Sequence, residues 1–267
     1  MGCMQADVPK APFPRLFVTD LDDTALGGGY QPYARFPDPF AAFLDRLAGR
    51  DCLWAINTSW GVDGQWQVVL ASAVRSRPAF LIAEFGLRLA RVTEQGPEFV
   101  QPYTREMEAR IAEVNEAHQF PLMREVCARF RPVRMHFYGH VFEFYPRPED
   151  REALAELARR HAENPALLVG LDRAFSTFPR LLAKGLGLKE VLRITGITPD
   201  RVVVAGDSLQ DWSMMVPELA GYIVCGSNAD PKVQAEARRR GAVGTDVCSR
   251  GVIQAFEDLA RRNGWVW

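Results

Sequence analysis

The sequence predicts an α/β protein, a parallel sheet covered on both faces and interrupted by an α+β insertion. Three observations carry this. Apolar runs recur at residues 16–18, 52–56, 79–83, 201–205 and 221–225, and they are continuous rather than alternating, as strands buried on both faces require. Stretches with helical spacing separate most of them. Between Gly86 and Lys184 that rhythm gives way to alternating, aromatic-rich runs with helices of their own. The expected organisation is therefore a core over residues 1–86, an insertion over 87–183 and a return to the core over 184–267.

The first strand, Leu16-Phe17-Val18-Thr19, ends in Asp20-Leu21-Asp22-Asp23-Thr24. Gly27-Gly28-Gly29 and Pro32 then read as a loop, and apolar residues at 40, 43, 44 and 47 as a helix introduced by Pro37-Asp38-Pro39. The second strand, 52–56, has the polar tip Asn57-Thr58-Ser59-Trp60-Gly61. A helix over 65–74 leads to the third strand, which ends at Glu84. In the insertion, strands at 87–92 and 99–102 about a Gly96-Pro97 turn precede helices at 104–117 and 122–130. Residues 134–145 alternate as a hairpin, 149–162 form a helix, and 166–178 return to strand. After Lys184 come a helix over 185–195, a strand ending at Gly206-Asp207-Ser208-Leu209-Gln210-Asp211, and a strand ending at Gly226-Ser227-Asn228-Ala229-Asp230. Helices at 231–240 and 251–263 complete the pattern.

Composition narrows the function. With 267 residues, 48% hydrophobic and 24% charged, the chain is an ordinary globular one with ample core. Its 32 basic and 33 acidic residues give a net charge of -1, which leaves no electrostatic footprint for nucleic acid. Five cysteines, at 3, 52, 127, 225 and 248, are odd in number and lack metal-type spacing, as expected for a protein of the reducing cytoplasm. No apolar run is long enough for a signal peptide or a bilayer span, so no membrane partner is expected. Nothing in the composition sets the oligomeric state.

In open α/β sheets ligands bind beyond the carboxyl ends of the strands, which gathers the polar tips into one site. Asp20 and Asp22, two apart, share a face if the chain stays extended, and like charges so close need a cation, a shared proton or open water. Alone, the run could also be an acidic turn capping a helix. Asp207 and Asp211 from another strand add carboxylates suited to a hard cation such as Mg²⁺. Thr58, Ser59 and Lys184 offer a hydroxyl and an ammonium to phosphate oxygens. Phosphoryl chemistry follows.

These residues resemble the haloacid-dehalogenase-like phosphohydrolases. Asp20-Leu21-Asp22-Asp23-Thr24 matches the family's Asp-x-Asp-x-Thr signature, Thr58 its second motif, Lys184 its third, and Gly206-Asp207 through Asp211 its fourth. The inserted section is similar to the large α+β cap of the Cof-type and sucrose-phosphate-phosphatase-like subgroup. The resemblance implies a Rossmann-like core with a cap, and a Mg²⁺-dependent phosphatase acting on a small phosphorylated metabolite, a sugar or polyol phosphate. It implies Asp20 as nucleophile and Asp22 as acid and then base. Mg²⁺ would sit on Asp20, the Asp22 backbone carbonyl and Asp207, with Asp211 bound directly or through water. Thr58, Ser59 and Lys184 would hold the phosphoryl group.

Departures exist. Thr58-Ser59-Trp60 stands where relatives carry Thr-Gly-Arg, so an arginine contact is lost, and Gln210 replaces an asparagine. Trp60 and Trp66 are open between packing and sugar stacking, and Asn228 between a site residue and a turn or cap. Arg134, His136 and Arg180 are expected substrate contacts from the cap, with Glu143, Arg173 and Ser176 as further candidates. His136 and His140 read as packed or hydrogen-bonded rather than as a metal pair. A phosphomutase of the same fold and a non-catalytic binding protein remain the alternatives.

Overall fold

The computed structural model describes residues 11–27, 34–138 and 140–267. Cys3 and, of the expected glycine loop, Gly28, Gly29 and Pro32 lie outside them. The first half contributes β1 (Leu16–Thr19), α1 (Asp38–Ala48), β2 (Leu53–Asn57), α2 (Val62–Ala71), β3 (Phe80–Ala83), β4 (Arg88–Val92) and β5 (Pro97–Phe99). Next come α3 (Gln101–Val114), α4 (Phe120–Arg129), β6 (Arg134–Tyr138), β7 (Val141–Tyr145), α5 (Arg151–Arg160), β8 (Leu167–Leu171) and β9 (Phe175–Pro179). The chain closes with α6 (Lys184–Thr195), β10 (Val202–Ala205), β11 (Tyr222–Cys225), α7 (Pro231–Arg240), β12 (Ala242–Val243) and α8 (Cys248–Asn263).

Among the described residues one sheet runs in the order β12-β11-β10-β1-β2-β3-β4-β5. Its pairs from β12 to β3 are parallel, with β1 central between β10 and β2. The continuous apolar runs are explained by burial on both faces. Leu16 and Val18 join Leu188, Val191 and Val233 in the core on one side. Phe17 meets Phe40, Phe43 and Phe256 on the other. Trp66, partly buried, packs against this second core.

The second sheet is antiparallel, in the order β6-β7-β9-β8. Phe142, Phe144, Leu167 and Phe175 from its strands are buried with Leu122, Val126, Leu154 and Leu157 from α4 and α5. Two expectations change. β4 pairs antiparallel with β3 and β5 with β4, so residues 88–99 extend the large sheet instead of opening the insertion at 87. The strand expected over 99–102 stops at Phe99, because Pro102 sits in the first turn of α3, where its missing N–H costs nothing. No described helix is long and apolar enough to cross a membrane.

Candidate active site

The polar tips meet where β1, β2 and β10 end. Asp20 follows β1 directly, its N–H donating to Ala205 O of β10 at 3.0 Å, and the residue is buried. The chain then turns sharply, with Asp23 at φ 52, in the left-handed region that aspartate tolerates better than most residues. Lys184, the first residue of α6, is 2% exposed. Its Nζ lies 2.8 Å from Asp20 Oδ1 and 2.5 Å from Asp211 Oδ1. Asn57 Nδ2 donates to the Lys184 carbonyl at 2.9 Å, fixing the start of the helix.

Two glycines make this closeness possible. A Cβ on Gly185 would stand 2.2 Å from Ser213 O, and one on Gly206 would stand 2.7 Å from the Asp211 carboxylate. Asp211 can therefore tuck beneath its own loop, where Oδ2 accepts the N–H groups of Asp207 and Ser208 at 2.9 and 3.0 Å. Asp207 is half-buried, and its Oδ1 accepts the Thr24 hydroxyl at 2.9 Å. Asp20, Asp207 and Asp211 each offer an oxygen within 4.8 Å of the others'.

Charge explains the strain in this arrangement. Burial, opposed by Lys184 and reinforced by Asp211, pushes the Asp20 carboxyl up to about 7. Burial and Asp211 push Asp207 up to about 6. Asp22 is also raised by burial, against the Trp60 hydrogen bond and Lys184. Burial works against the charged form of Lys184, but Asp20 and Asp211 outweigh it and raise its pKa. One ammonium faces four carboxylates. The donor set, all oxygen and short of positive charge, fits a divalent hard cation.

Thr58 Oγ1, Asp22 Oδ1 and Asn57 Oδ1, buried polar atoms beside this cluster, have no hydrogen-bond partner among the described residues. The backbone of Thr58 is fully used, its N–H donating to Ile82 O at 3.1 Å and its carbonyl accepting from Phe85 N–H at 3.2 Å. The other oxygen of Asp22 accepts the Trp60 indole N–H at 2.8 Å. A cavity of about 270 Å³ is lined by Asp20, Asp22, Asp23, Ser59, Lys184, Asp207, Ser208, Leu209 and Gln210. Leu209 and Gln210 also line an adjoining cavity of about 550 Å³, whose far wall includes Val141, Glu143, Leu168, Ser176 and Phe178 of the second sheet.

The structure thus brings Asp20, Asp22, Ser59, Lys184, Asp207 and Asp211 together, with Thr58 on the adjoining strand tip. The expected cap contacts have other partners among the described residues. Arg180 Nε is turned to the carbonyls of Asn164 and Leu167 at 2.9 and 3.0 Å. Arg134 lies over the Tyr145 ring at 3.9 Å, and His136 is exposed edge-on to the same ring; neither lines the cavity. Glu143 and Ser176 do. Asn228 is a clamp, its Nδ2 donating to Asp23 O at 2.7 Å and its Oδ1 accepting Cys248 N–H at 2.8 Å. His140 pairs with Asn115 at 2.9 Å, as expected of a hydrogen-bonded histidine. Asn57 was missed, although a buried polar residue closing an apolar strand was the available signal.

Comparisons with known proteins bear on the fold and on part of the sequence. The family model described as haloacid dehalogenase-like hydrolase matches residues 139–256. The fold matches the sucrose-phosphatase of Synechocystis sp. PCC6803, solved with sucrose and phosphate, at a TM-score of 0.61 and 14% identity, covering 96% of this chain and 100% of that one. BT1666 of Bacteroides thetaiotaomicron, described among phosphatases of the haloalkanoate enzyme superfamily, matches at a TM-score of 0.60 and 17% identity, covering 98% of this chain and 100% of that one. In sequence the chain is 24% identical over 256 residues to a glucosylglycerol-phosphate synthase of Pseudomonas anguilliseptica, covering 90% of this chain but only 30% of that protein. The chain thus matches the haloacid dehalogenase-like hydrolase model over residues 139–256, and it shares the fold of these solved phosphatases over nearly its whole length.

Proposed function

We propose that the chain is a Mg²⁺-dependent phosphomonoester hydrolase of the cytoplasm, acting on a small sugar or polyol phosphate through an aspartyl-phosphate on Asp20. The observation that carries this reading is the buried cluster in which Lys184 bridges Asp20 and Asp211 while Asp22 keeps a separate donor of its own. Asp20, the Asp22 carbonyl and Asp207 would hold the metal. Asp211, whose oxygens already serve Lys184 and two N–H groups, would support it from behind. The bound cation supplies charge neutralisation for the transferring phosphoryl group.

The residues divide the remaining work. Asp20 attacks phosphorus as nucleophile. Asp22 protonates the departing alcohol and then takes a proton from the water that hydrolyses the aspartyl-phosphate. Lys184, Ser59 and the unpartnered Thr58 hydroxyl hold phosphoryl oxygens. The adjoining cavity receives the leaving group. Glu143 is the one formally charged side chain among its described lining residues, and Phe85, Phe178 and Leu168 give it apolar walls. That chemistry favours an uncharged, hydroxylated leaving group, consistent with the sugar named for the sucrose-phosphatase and with the name of the glucosylglycerol-phosphate synthase.

Phosphate release from a panel of sugar and polyol monophosphates, with and without Mg²⁺, tests the reading. Steady release without a bisphosphate activator, lost in Asp20→Asn, is the expected result. A bisphosphate requirement with phosphoryl transfer between sugar oxygens would make the chain a phosphomutase. Undiminished turnover by Asp20→Asn would remove Asp20 from the nucleophile's role.

A further inference from the structure

We infer that Trp60 is a positioning residue for Asp22, its indole N–H fixing one carboxyl oxygen so that the other, Oδ1, is the atom that exchanges a proton with the substrate. The inference rests on the phosphatase reading above and adds to it a residue from outside the four matched motif positions. Trp60 Nε1 donates to Asp22 Oδ2 at 2.8 Å. Asp22 Oδ1 is buried and has no hydrogen-bond partner among the described residues. The two oxygens are therefore inequivalent before any ligand arrives.

The indole is itself well anchored. Trp60 is 8% exposed. Its carbonyl accepts the Gln65 side-chain N–H at 3.0 Å and the Glu84 N–H at 3.2 Å. Gln65, fully buried, donates also to Ile82 O at 3.1 Å, so the loop after β2 is tied to the end of β3. A carboxyl group has one χ2 rotation that interconverts its oxygens, and a donor on a fixed ring removes that freedom. Asp22 is half-buried and is one of the residues lining the acidic cavity, beside Asp20 and Lys184.

The proton path then balances. As the Asp20 oxygen bonds phosphorus, the bond from phosphorus to the leaving oxygen breaks, and the proton on Asp22 Oδ1 passes to that oxygen. In the second half a water oxygen bonds phosphorus, its proton returns to Oδ1, and the Asp20–phosphorus bond breaks to release phosphate. Throughout, Oδ2 keeps the indole hydrogen bond.

Leaving-group dependence separates this role from packing. A poor leaving group such as the alkoxide of sn-glycerol 3-phosphate needs the proton, whereas p-nitrophenolate departs without one. The parameter to compare is kcat/KM, which ends at departure of the leaving group and excludes later hydrolysis. Trp60→Phe should lower the ratio of kcat/KM for sn-glycerol 3-phosphate over p-nitrophenyl phosphate at least tenfold, chiefly through kcat. Replacement of Trp60 by 3-benzothienylalanine, which keeps the bicyclic shape and lacks the N–H, should lower it similarly, and Trp60→Phe added to Asp22→Asn should change it no further. An unchanged ratio in the benzothienyl variant, whether or not both rates fall, overturns the inference. Loss of neither substrate in Asp20→Asn would instead overturn the underlying phosphatase reading.

Discussion

The ammonium of Lys184 lies 2.5 Å from Asp211 Oδ1, and both side chains are buried. Asp211 thereby joins the start of α6 to the loop after β10, since its other oxygen holds the N–H groups of Asp207 and Ser208. Asp211→Ala leaves two donors and a buried ammonium short of an acceptor, with Asp20 as that ammonium's remaining carboxylate. Loss of about 3 kcal/mol is expected for a broken buried pair of this kind. Asp211→Asn, which keeps an acceptor for the backbone, should lose less, about 1–2 kcal/mol. Urea unfolding of the metal-free proteins measures both, and equal midpoints for Asp211→Ala and wild type would mean the bridge carries no stability.

The pH dependence of stability follows from the same charges. Asp20 rises in the folded state to about 7 and Asp207 to about 6, from an ordinary value of 3.8. Between those values the folded protein binds more protons than the unfolded one, so stability falls as pH rises from about 4 to 7. The metal-free protein should therefore melt at a lower temperature at pH 7.5 than at pH 5, with a shallower slope in Asp20→Asn. Mg²⁺ stabilises the ionised carboxylates and should raise the melting temperature more at pH 7.5 than at pH 5. A pH-independent melting temperature between those limits contradicts the assignment.

Much of this site was legible because the chemistry and the fold share a pattern. Apolar runs with polar tips located β1, β2, β3, β10 and β11, and topology then placed Asp20, Thr58 and Asp207 at one edge. Lys184 before a helix was readable beside Gly185, whose lack of a Cβ lets α6 approach Ser213. What escaped depended on side-chain direction across the chain. Sequence does not show that Arg180 turns to backbone carbonyls or that Arg134 lies over an aromatic ring. Trp60 is distant from Asp22 in sequence, and its hydrogen bond to that carboxyl is set by the turn after β2. That β4 and β5 extend the large sheet was not legible, because an antiparallel hairpin added to a parallel sheet has the same alternation as an independent one.

Thr58 should show stability and activity moving apart. Its buried hydroxyl has no partner among the described residues, a situation that costs about 1–3 kcal/mol. Thr58→Val keeps the shape and removes the unsatisfied atom. The variant should be at least as stable as wild type in urea, while kcat/KM falls about 100-fold through loss of a donor to the phosphoryl group. A variant that is both fully active and more stable would make Thr58 a structural residue alone.

Glu143 should decide the charge of the leaving group. Its carboxylate lines the larger cavity and accepts the Tyr145 hydroxyl at 3.0 Å, which holds it on the sheet face shared with Ser176. A substrate carrying a second anion would meet a like charge there, so wild type should favour sn-glycerol 3-phosphate over 3-phosphoglycerate by about tenfold or more in kcat/KM. Glu143→Gln keeps hydrogen-bonding capacity and should narrow that preference mainly by lowering KM for the anionic substrate. Glu143→Lys should narrow it further or reverse it. Glu143 is half-buried on a strand whose Phe142 and Phe144 face the opposite core, so these exchanges leave the sheet's packing intact and a change in the ratio reports charge. If Glu143→Lys leaves the ratio as it was, the leaving group binds elsewhere and the larger cavity has no part in selection.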